Sequence, residues 1–455
     1  MTSRSRTRST TLLAAAGMVG AVALAACTPG SDSDTGGATP TGQVTTDASK
    51  LGNVTLTVWD QEIRGGQKAQ IEELNKEFQA KYPNIKLNRV SRSTDDLNTT
   101  LKLALSGNTP PDVFQANNGR PQMGSFVQAG QLVALDRYAE AYGWKDRYPE
   151  SVRQYSSYST DGKTFGTGSL FGLPQVGEVV GIFVNKTKLQ KAGVSMPQTW
   201  DEFQQSLATL KAKGELPLVL GNLDKWPAIH VFGTAQAQNV QPDAIRKLGF
   251  GQKGGSWKTP ENTKAAQTLV DWVDKGYFSK DVNGQGYDPA WQAFSKGTGA
   301  YLIAGTWLQA DLGKAMGDDV TFVLPPPASG NPAATGGTGI PWAISSKSKH
   351  PDAAAAYIDF ITSKDAMAVL AKNDNLPIAD TAAQQAPNAL GKDVFAAFGT
   401  AVEKNALVPY LDYATPTMSD TIGAALQDLL AKKATPEQFL DTLEKDYSGF
   451  VSSNQ

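Results

Sequence analysis

The sequence predicts an α/β fold, because short β-rich runs alternate with stretches whose apolar residues recur at helical spacing. Val54 to Val58 alternates apolar and polar residues, as a half-buried strand does. Ile71, Leu74 and Phe78 then fall on one face of a predicted helix. That helix stops at Tyr82, before a proline. At 455 residues, the chain is long enough for two or three domains around a large buried core.

Two further strands and a second helix continue this alternation. Residues Lys86 to Val90 are predicted as a strand, and Leu97, Leu101 and Leu105 mark the buried face of the next helix. A turn rich in Gly, Asn and Pro then leads into a third strand over Pro111–Ala116. The order is that of a β-α-β-α-β unit.

The second half of the chain carries clear helix-start signals. Thr199 with Glu202 three residues later predicts a capping box. Thr259 and Thr435 each precede a proline, which suits the first position of a helix. Gly299–Ala304 is predicted as a buried strand, and the Gly-rich stretch Pro325–Gly339 as a poorly structured crossing region.

The N-terminus has the features of a targeting segment. Arg4, Arg6 and Arg8 precede the mildly apolar run Leu12–Ala26, which is too short to span a bilayer and suits a signal peptide. The run ends in LAAC, which is similar to a bacterial lipobox, so residues 1–26 are predicted to be removed and Cys27 to be lipidated. The alternative is ordinary cleavage beside an incidental cysteine.

Residues 27–50 are predicted to be a flexible tether. After the cysteine this segment has no aromatic residue and only one large aliphatic one, Val44, so it cannot bury enough surface to offset the entropy of ordering. Together with the predicted lipid anchor, it indicates a protein held at the extracytoplasmic face of the cell membrane.

The overall composition excludes several classes of function. Lys plus Arg is 42 and Asp plus Glu is 44, so the net charge is −2, and no basic block indicates nucleic-acid binding. One cysteine rules out an intramolecular disulfide, and two histidines make a histidine-rich metal site or a histidine-based catalytic triad a poor prediction. We therefore expect no metal and no cofactor.

Several segments, in a consistent order and spacing, carry a resemblance that spans nearly the whole chain after the tether. The sequence resembles the extracellular carbohydrate-binding proteins of ABC importers (solute-binding protein family 1), the group that includes maltose-binding protein. The matching segments are LTVWD with IEELNKEFQAKYPNIKL, GNTPPDVFQANNG, FGLPQVGEVVGIFVNKTKL with PQTWDEF, AFSKGTGAYLIAGTW, and WAISSKSKHPDAAAAYIDFITS.

This resemblance implies a hinged, two-lobe periplasmic-binding-protein fold. Each lobe would be a mixed sheet with flanking helices, and the lobes would close around a sugar. It also implies a non-enzymatic receptor, expected to be a monomer, that docks onto permease subunits driven by a cytoplasmic ATPase. The implied N-terminal lobe comprises 51–175 and 343–395, the C-terminal lobe 176–342 and 396–455, and the hinge Pro174–Val176 and Ile340–Ala343.

A sugar site needs bidentate polar side chains and flat aromatic rings at strand ends facing the cleft. Asp60 and Gln61 follow the first strand, although an Asp helix cap is the alternative for this pair. Asn117 and Asn118 follow the third strand, although an Asn-Asn-Gly turn is the alternative there. Glu178 is an acid in an otherwise apolar run, which is costly unless it faces a solvated or ligand-filled cleft.

Five aromatic residues complete the predicted site. The resemblance places Trp226 and Trp307 at stacking positions, and Tyr287, Trp342 and Tyr410 are further candidates. Trp291, beside Tyr287, is predicted to be core. We expect His230 to cap or pack near the Trp226 loop, and Arg64 and Arg92 to be solvated.

The ligand is less well specified than the fold. Where maltose-binding protein has a Trp after the third strand, this chain has Ala116, so maltodextrin specificity does not carry over. DQEIRGG and GNLDKWPAIH look like segments of actinobacterial proteins that bind xylo-oligosaccharides. The alternatives are another organic solute, such as a polyamine or glycerol phosphate, or an extracellular glycosidase using a carboxylate pair such as Asp60 and Glu178.

Overall fold

The structure is a computed structural model that describes residues 42–328 and 333–454. The predicted signal peptide and the predicted lipidation site at Cys27 lie outside these residues. Strands and helices alternate through the described ranges, which confirms the predicted α/β class. The strands are β1 (Val54–Asp60), β2 (Ile85–Ser91), β3 (Val113–Gln115), β4 (Ser157–Tyr158), β5 (Ser169–Leu170), β6 (Gly177–Asn185), β7 (Leu218–Val219), β8 (Tyr301–Gly305), β9 (Val320–Val323), β10 (Ala334–Thr338), β11 (Trp342–Ile344) and β12 (Leu407–Val408).

The helices cover the faces of the sheets. They are α1 (Gly65–Lys81), α2 (Thr94–Ser106), α3 (Ser125–Gln128), α4 (Asp136–Ala141), α5 (Trp144–Arg147), α6 (Glu150–Arg153), α7 (Lys186–Ala192), α8 (Trp200–Ala212), α9 (Pro227–Ala237), α10 (Pro242–Gly249), α11 (Pro260–Asp274), α12 (Tyr287–Ser295), α13 (Gln309–Met316), α14 (Pro351–Ile361), α15 (Lys364–Lys372), α16 (Ala389–Glu403), α17 (Met418–Leu430) and α18 (Pro436–Ser453).

The first sheet has the order β11-β3-β1-β2. β1 pairs in parallel with β2, with Val54 opposite Ile85, and in parallel with β3. β11 closes the other edge antiparallel to β3, with Trp342 opposite Gln115. The carboxyl ends of β1, β2 and β3 therefore meet at one edge, where ligands of open α/β sheets bind.

The second sheet has the order β12-β10-β6-β8-β7, and β9 also pairs with β6. β8 and β10 both run antiparallel to β6, while β7 is parallel to β8 and β12 is parallel to β10. The start of β6 therefore shares one edge with the carboxyl ends of β7, β8, β10 and β12. The segments that follow β7, β8, β10 and β12 therefore all leave the sheet at that edge.

The chain passes between the two sheets more than once. It crosses from Leu173 to Gly177, before β6, and back between Thr338 and Trp342. A later crossing precedes Ala389, because α16 packs against β6 and β9. The predicted boundary at 395 falls inside α16.

Local signals predicted most elements well, with two exceptions. Thr199 accepts from Glu202 N at 3.2 Å, but the Glu202 carboxylate accepts from Gln198 N, so the predicted reciprocal box is only half formed. The full box is at Thr435 with Gln438. Part of the stretch expected to be poorly structured forms β10, in which a Cβ on Gly336 would lie 2.4 Å from the carbonyl oxygen of Glu178. Glycine allows this close approach of the two strands, but a glycine-rich segment lacks the β-branched and aromatic residues that usually predict a strand.

The ordered body begins before the predicted end of the tether at residue 50. Thr45 N donates to Asp352 Oδ2 at 3.0 Å, and Asn84 Nδ2 donates to the carbonyl of the buried Ala48 at 3.0 Å. Composition alone missed this, because the anchoring partners are distant in sequence. Among the described residues, no helix combines the length and apolar content that crossing a bilayer requires.

Candidate functional site

A cavity of about 250 Å³ lies where the two sheets present their ligand-binding edges to each other. One side is formed by residues that follow β1, β2 and β3, and the other by residues from the second sheet and its helices. The lining residues are Gln61, Arg64, Gln67, Thr94, Asp95, Asn98 and Asn117 on the first side and Glu178, Asp224, Lys225, Trp226, Ile229, His230, Trp307, Ile340, Tyr410, Asp412, Tyr413, Ser419 and Asp420 on the second.

Two tryptophans form an aromatic wall on the second side of the cavity. The ring centroids of Trp226 and Trp307 lie 6.2 Å apart at an interplanar angle of 67°. The buried ring of Tyr287 packs behind them, 4.3 Å from Trp226, and its hydroxyl accepts from Trp307 Nε1 at 2.6 Å. Tyr287 thus supports the wall without lining the cavity.

The loop carrying Trp226 is fixed by its own polar residues. Asn222 Oδ1 accepts from Ala228 N at 3.0 Å, and Asp224 Oδ2 accepts from Tyr287 N at 2.7 Å. Lys225 has a positive φ of 67°, which turns the chain sharply just before Trp226. The indole is therefore held against the cavity before any ligand arrives.

Trp307 is placed by the end of β8. Its ring folds back over Gly305, where an added Cβ would lie 1.9 Å from the indole carbon Cζ3. Any larger residue at 305 would displace the ring, so the glycine is required for the position of Trp307.

Glu178 and Asp412 are two acids on the second side of the cavity whose pKa values are raised strongly. Glu178 Oε2 accepts from Tyr410 OH at 3.3 Å, and within the described part of the chain the Asp412 carboxyl group has a hydrogen bond only from its own backbone. Burial raises the pKa of Glu178 to about 8 and that of Asp412 to about 6. Both side chains therefore offer hydrogen-bonding capacity to a ligand.

His230 is a neutral member of the wall. It is 6% exposed, its ring lies 5.4 Å from Trp307 and 5.6 Å from Tyr410, and its Nδ1 has no partner among the described residues. Burial lowers its pKa to about 3, so it is uncharged at neutral pH. The packing role that we predicted is present, and the ring also lines the cavity.

The first side of the cavity is polar. Gln61 receives a hydrogen bond from the Thr94 hydroxyl, and its backbone N donates to Gln115 Oε1 at 2.9 Å. Arg64, which we expected to be solvated, lines the cavity and pairs with Asp288 Oδ1 of α12 at 3.1 Å. Asn117 lines the cavity beside them.

Besides Tyr287, three of the predicted ligand residues do not line the cavity, and a local contact explains each case. Asp60 is 0% exposed because it pairs with Arg89, with 2.6 and 2.7 Å between their atoms, rather than capping a helix. Asn118 is buried, donating to Thr338 Oγ1 at 3.1 Å and accepting from Ser156 Oγ. Trp342 is 0% exposed and packs edge-on against Tyr357 in the core.

Trp291 and Arg92 also differ from expectation. Trp291 is only partly buried and donates from Nε1 to Asp288 Oδ1 at 2.8 Å, so it is not a core residue. Arg92 lies 4.6 Å above the ring of Trp59, which shields it from solvent on one side.

Arg120 connects the segment after β3 to the second-sheet side, outside the cavity. Its Nη1 donates to the carbonyls of Phe250 and Ala414 at 2.8 and 2.9 Å, and its Nη2 donates to that of Lys163 at 3.3 Å. The ring of Phe450 lies 4.7 Å from the guanidinium. No carboxylate pairs with this buried cation among the described residues, so carbonyl dipoles and aromatic faces stabilise it.

Several lining residues were missed from the sequence. Thr94, Asp95 and Asn98 lie in the first turns of α2, which starts just after the carboxyl end of β2. Ligands in such sheets bind beyond the carboxyl ends of the strands, so considering the residues that follow β2 as well as those that follow β1 would have found them. Asp412 and Tyr413 follow the two-residue strand β12, which leaves no sequence pattern of its own.

Glu62 is a buried carboxyl group outside the cavity lining, and it should make the free energy of unfolding depend on pH. It is 2% exposed, Gln115 Nε2 donates to its Oε1 at 2.6 Å, and burial followed by the nearby charge of Asp60 raises its pKa from 4.5 to about 7. The folded state thus retains a proton that the unfolded state releases near pH 4.5. Its contribution to the free energy of unfolding falls as the pH rises from about 4.5 to about 7.

Glu62→Gln is expected to flatten this pH dependence, because glutamine keeps the acceptor for Gln115 and cannot ionise. Above pH 7 the variant should be more stable than the parent by about 2 kcal/mol, with little difference at pH 4.5. Urea unfolding at several pH values measures this, with the exposed Glu77→Gln as the control. Parallel pH profiles for the parent and Glu62→Gln would contradict the prediction.

The cavity has the features of a binding site. In the part of the chain that the structure describes, no group of three or more His, Cys, Asp or Glu side chains is placed to hold a metal ion. The proposed catalytic pair of Asp60 and Glu178 is not available, because Asp60 is occupied by Arg89. Flat aromatic faces opposite amide, hydroxyl and carboxyl groups suit a polyhydroxylated solute.

Comparisons with known proteins agree with these features. The family described as bacterial extracellular solute-binding protein matches residues 65–368. A multiple sugar-binding protein of Streptococcus mutans serotype c is 26% identical over 345 residues, covering 73% of this chain and 76% of the relative. The structure of a chitin oligosaccharide binding protein is 25% identical, with a TM-score of 0.75 over 88% of this chain and 99% of that one.

The architecture is shared with more distant structures as well. The GacH receptor of Streptomyces glaucescens GLA.O, solved unliganded and with acarbose, has a TM-score of 0.72 at 20% identity over 89% of this chain and 100% of that one. At that identity the likeness concerns the fold alone. The two-lobe fold that the resemblance implied is confirmed.

Proposed function

Because the chain belongs to the bacterial extracellular solute-binding proteins, we propose that it captures an oligosaccharide between its two lobes and delivers it to an ABC sugar importer. Membership in this family of extracytoplasmic receptors agrees with the prediction of a protein that binds without catalysing a reaction. We take the two sheets as the cores of the two lobes.

The observation that carries the proposal is the aromatic wall of Trp226 and Trp307 facing polar side chains across one cavity. A pyranose ring has weakly apolar C–H faces and hydroxyl groups around its edge. Stacking on the wall covers the faces, while Gln61, Asn117 and Glu178 exchange hydrogen bonds with the hydroxyls.

The proposed mechanism is a binding equilibrium coupled to lobe closure. Gln61 and Asn117 belong to the first-sheet lobe, whereas the aromatic wall and Glu178 belong to the second, so only a closed molecule makes both sets of contacts. A sugar therefore stabilises the closed state by its differential affinity, and the importer would recognise that state.

We also propose a lipid anchor, a monomeric receptor and boundaries for the two lobes. Lipidation at Cys27, after removal of residues 1–26, would tether the receptor to the membrane. The receptor would act as a monomer beside permease subunits and a cytoplasmic ATPase. The N-terminal lobe would hold 51–175 and the segment from 343 to the crossing before Ala389, and the C-terminal lobe 176–342 and the remainder.

The test is a titration of residues 28–455, followed by tryptophan fluorescence, with xylo-, malto-, cello-, galacto- and chito-oligosaccharides. Because Trp226 and Trp307 line the cavity, a bound sugar should change their emission saturably at micromolar concentration. Polyamines and glycerol phosphate serve as the competing solutes. A response to one of these and to no sugar would replace the proposal.

Gly305→Ala is expected to weaken sugar binding about ten-fold or more, because the added methyl group displaces the Trp307 ring. Gly399→Ala is the matched control, since nothing lies within 4 Å of the added group in that helix. The control should bind normally and be slightly more stable. Isothermal calorimetry compares the two, and equal affinities would show that Trp307 does not contact the sugar.

A further inference from the structure

The cavity carries a strong excess of carboxyl groups. Five lining residues are acidic, namely Asp95, Glu178, Asp224, Asp412 and Asp420, whereas only Arg64 and Lys225 are basic. Arg64 is already paired with Asp288, an acid that is not part of the lining. The surface that meets the ligand therefore has a negative field with one unpaired cation.

The acids come from both lobes and face one another. Asp95 belongs to α2 on the first-sheet side, whereas Asp224 belongs to the Trp226 loop on the second. Burial raises the pKa of Asp95, and the negative charges of Asp224, Asp96 and Asp288 raise it further. Closing the lobes on an uncharged ligand leaves this repulsion in place, whereas a positive charge between the lobes would relieve it.

The carboxyl groups at the aromatic side have unused acceptors. Neither Glu178 nor Asp412 forms an ion pair with any residue in 42–328 or 333–454. Among the described residues, the Glu178 side chain accepts only from Tyr410 OH, and that bond is long at 3.3 Å. Both side chains line the cavity, so their remaining lone pairs are available to a donor inside it.

An independent observation on the same wall is His230. It is more than nine-tenths buried, lines the cavity, and has no hydrogen-bond partner for Nδ1 in the described structure. A neutral imidazole next to a negative field adds no positive charge that would oppose a cationic ligand. Its Nδ1 is itself buried, so the ring contributes an uncharged face to this wall.

We propose that the preferred solute of this site is a sugar that carries a basic nitrogen, such as a glucosamine or galactosamine unit with a free amino group. The ring stacks on Trp226 and Trp307, and the ammonium group lies among Asp412, Glu178 and the facing acids, where its positive charge favours the ionised form of Glu178. An ammonium group has three donors and no acceptor, which matches an acceptor-rich pocket. This inference rests on the proposed capture of a sugar and specifies its chemical class.

Matched pairs of sugars that differ only at C2 test it. Glucosamine is compared with glucose, galactosamine with galactose, and the β-1,4-linked disaccharide of glucosamine with cellobiose, by calorimetry at pH 7. In at least one pair the amino sugar should bind about ten-fold tighter or more, and added NaCl should weaken that member selectively. In Glu178→Gln and Asp412→Asn, the affinity ratio within that pair should fall towards one.

The outcomes separate this inference from the function on which it rests. Hydroxyl sugars that bind as tightly as their amino counterparts in every pair would overturn the inference and leave sugar capture standing. A preference for the amino sugar that persists unchanged in both variants would also overturn it, because the carboxylates would not be its source. Binding of linear polyamines without any sugar would overturn both statements.

Discussion

Trp226→Ala is expected to weaken sugar binding about 100-fold, because its indole is one of the two large flat rings that line the cavity and its loop is already fixed by Asn222 and Asp224. Removing a pre-organised ring loses its stacking and leaves a gap that water enters. Calorimetry with the sugar identified by the fluorescence titration measures the loss. Trp307→Ala should show a similar reduction.

Two comparisons make this result interpretable. Trp226→Phe keeps a flat apolar ring and should recover much of the affinity. Leu223→Ala changes an exposed side chain of the same loop, 55% accessible, and should bind as the parent does. If Trp226→Ala bound within about three-fold of the parent, the aromatic wall would not be the sugar platform.

Arg120→Met is expected to lower the free energy of unfolding by about 3 kcal/mol, because the carbonyls of Phe250, Ala414 and Lys163 lose their shared donor inside the protein. A methionine fills a similar volume but donates no hydrogen bond. Burial lowers the pKa of Arg120 to about 10, so the residue remains charged at neutral pH. Urea unfolding of the sugar-free protein measures the change.

A matched pair of variants separates the geometry of this contact from its charge. Arg120→Lys retains the positive charge but cannot reach three carbonyls from one planar group, so it should recover less than half of the lost stability. Lys253→Ala removes an exposed cation nearby and should change stability by less than about 0.5 kcal/mol. Full recovery in Arg120→Lys would show that charge alone matters.

The sequence allowed the elements to be predicted where one physical signal dominated. Ile71, Leu74 and Phe78 face the core in α1 because apolar spacing is decided locally. Gln61 and Asn117 were predicted because they follow strands, Trp226 and Trp307 were predicted from the family resemblance, and all four line one cavity. In these cases position in the chain and position in the fold are linked by short-range geometry.

The failures share a different cause, which is a partner remote in sequence. Asp60 follows a strand as a ligand residue would, but Arg89 of the adjacent strand β2 takes its carboxylate. Trp342 lies at a predicted crossing, but its partner Tyr357 is buried in the core. No local pattern distinguishes an acid that meets an arginine from one that meets a ligand.

The interleaved path of the chain also has a consequence for the timing of folding. The first sheet lacks its edge strand until Trp342 pairs with Gln115, and Tyr357 OH donates to Asn75 Oδ1 across 282 residues. Contacts so distant in sequence form slowly, because a long loop must close before they contribute. The first sheet therefore stays incomplete until the chain has been synthesised past β11, and a nascent chain that ends before that point leaves the edge of β3 unpaired.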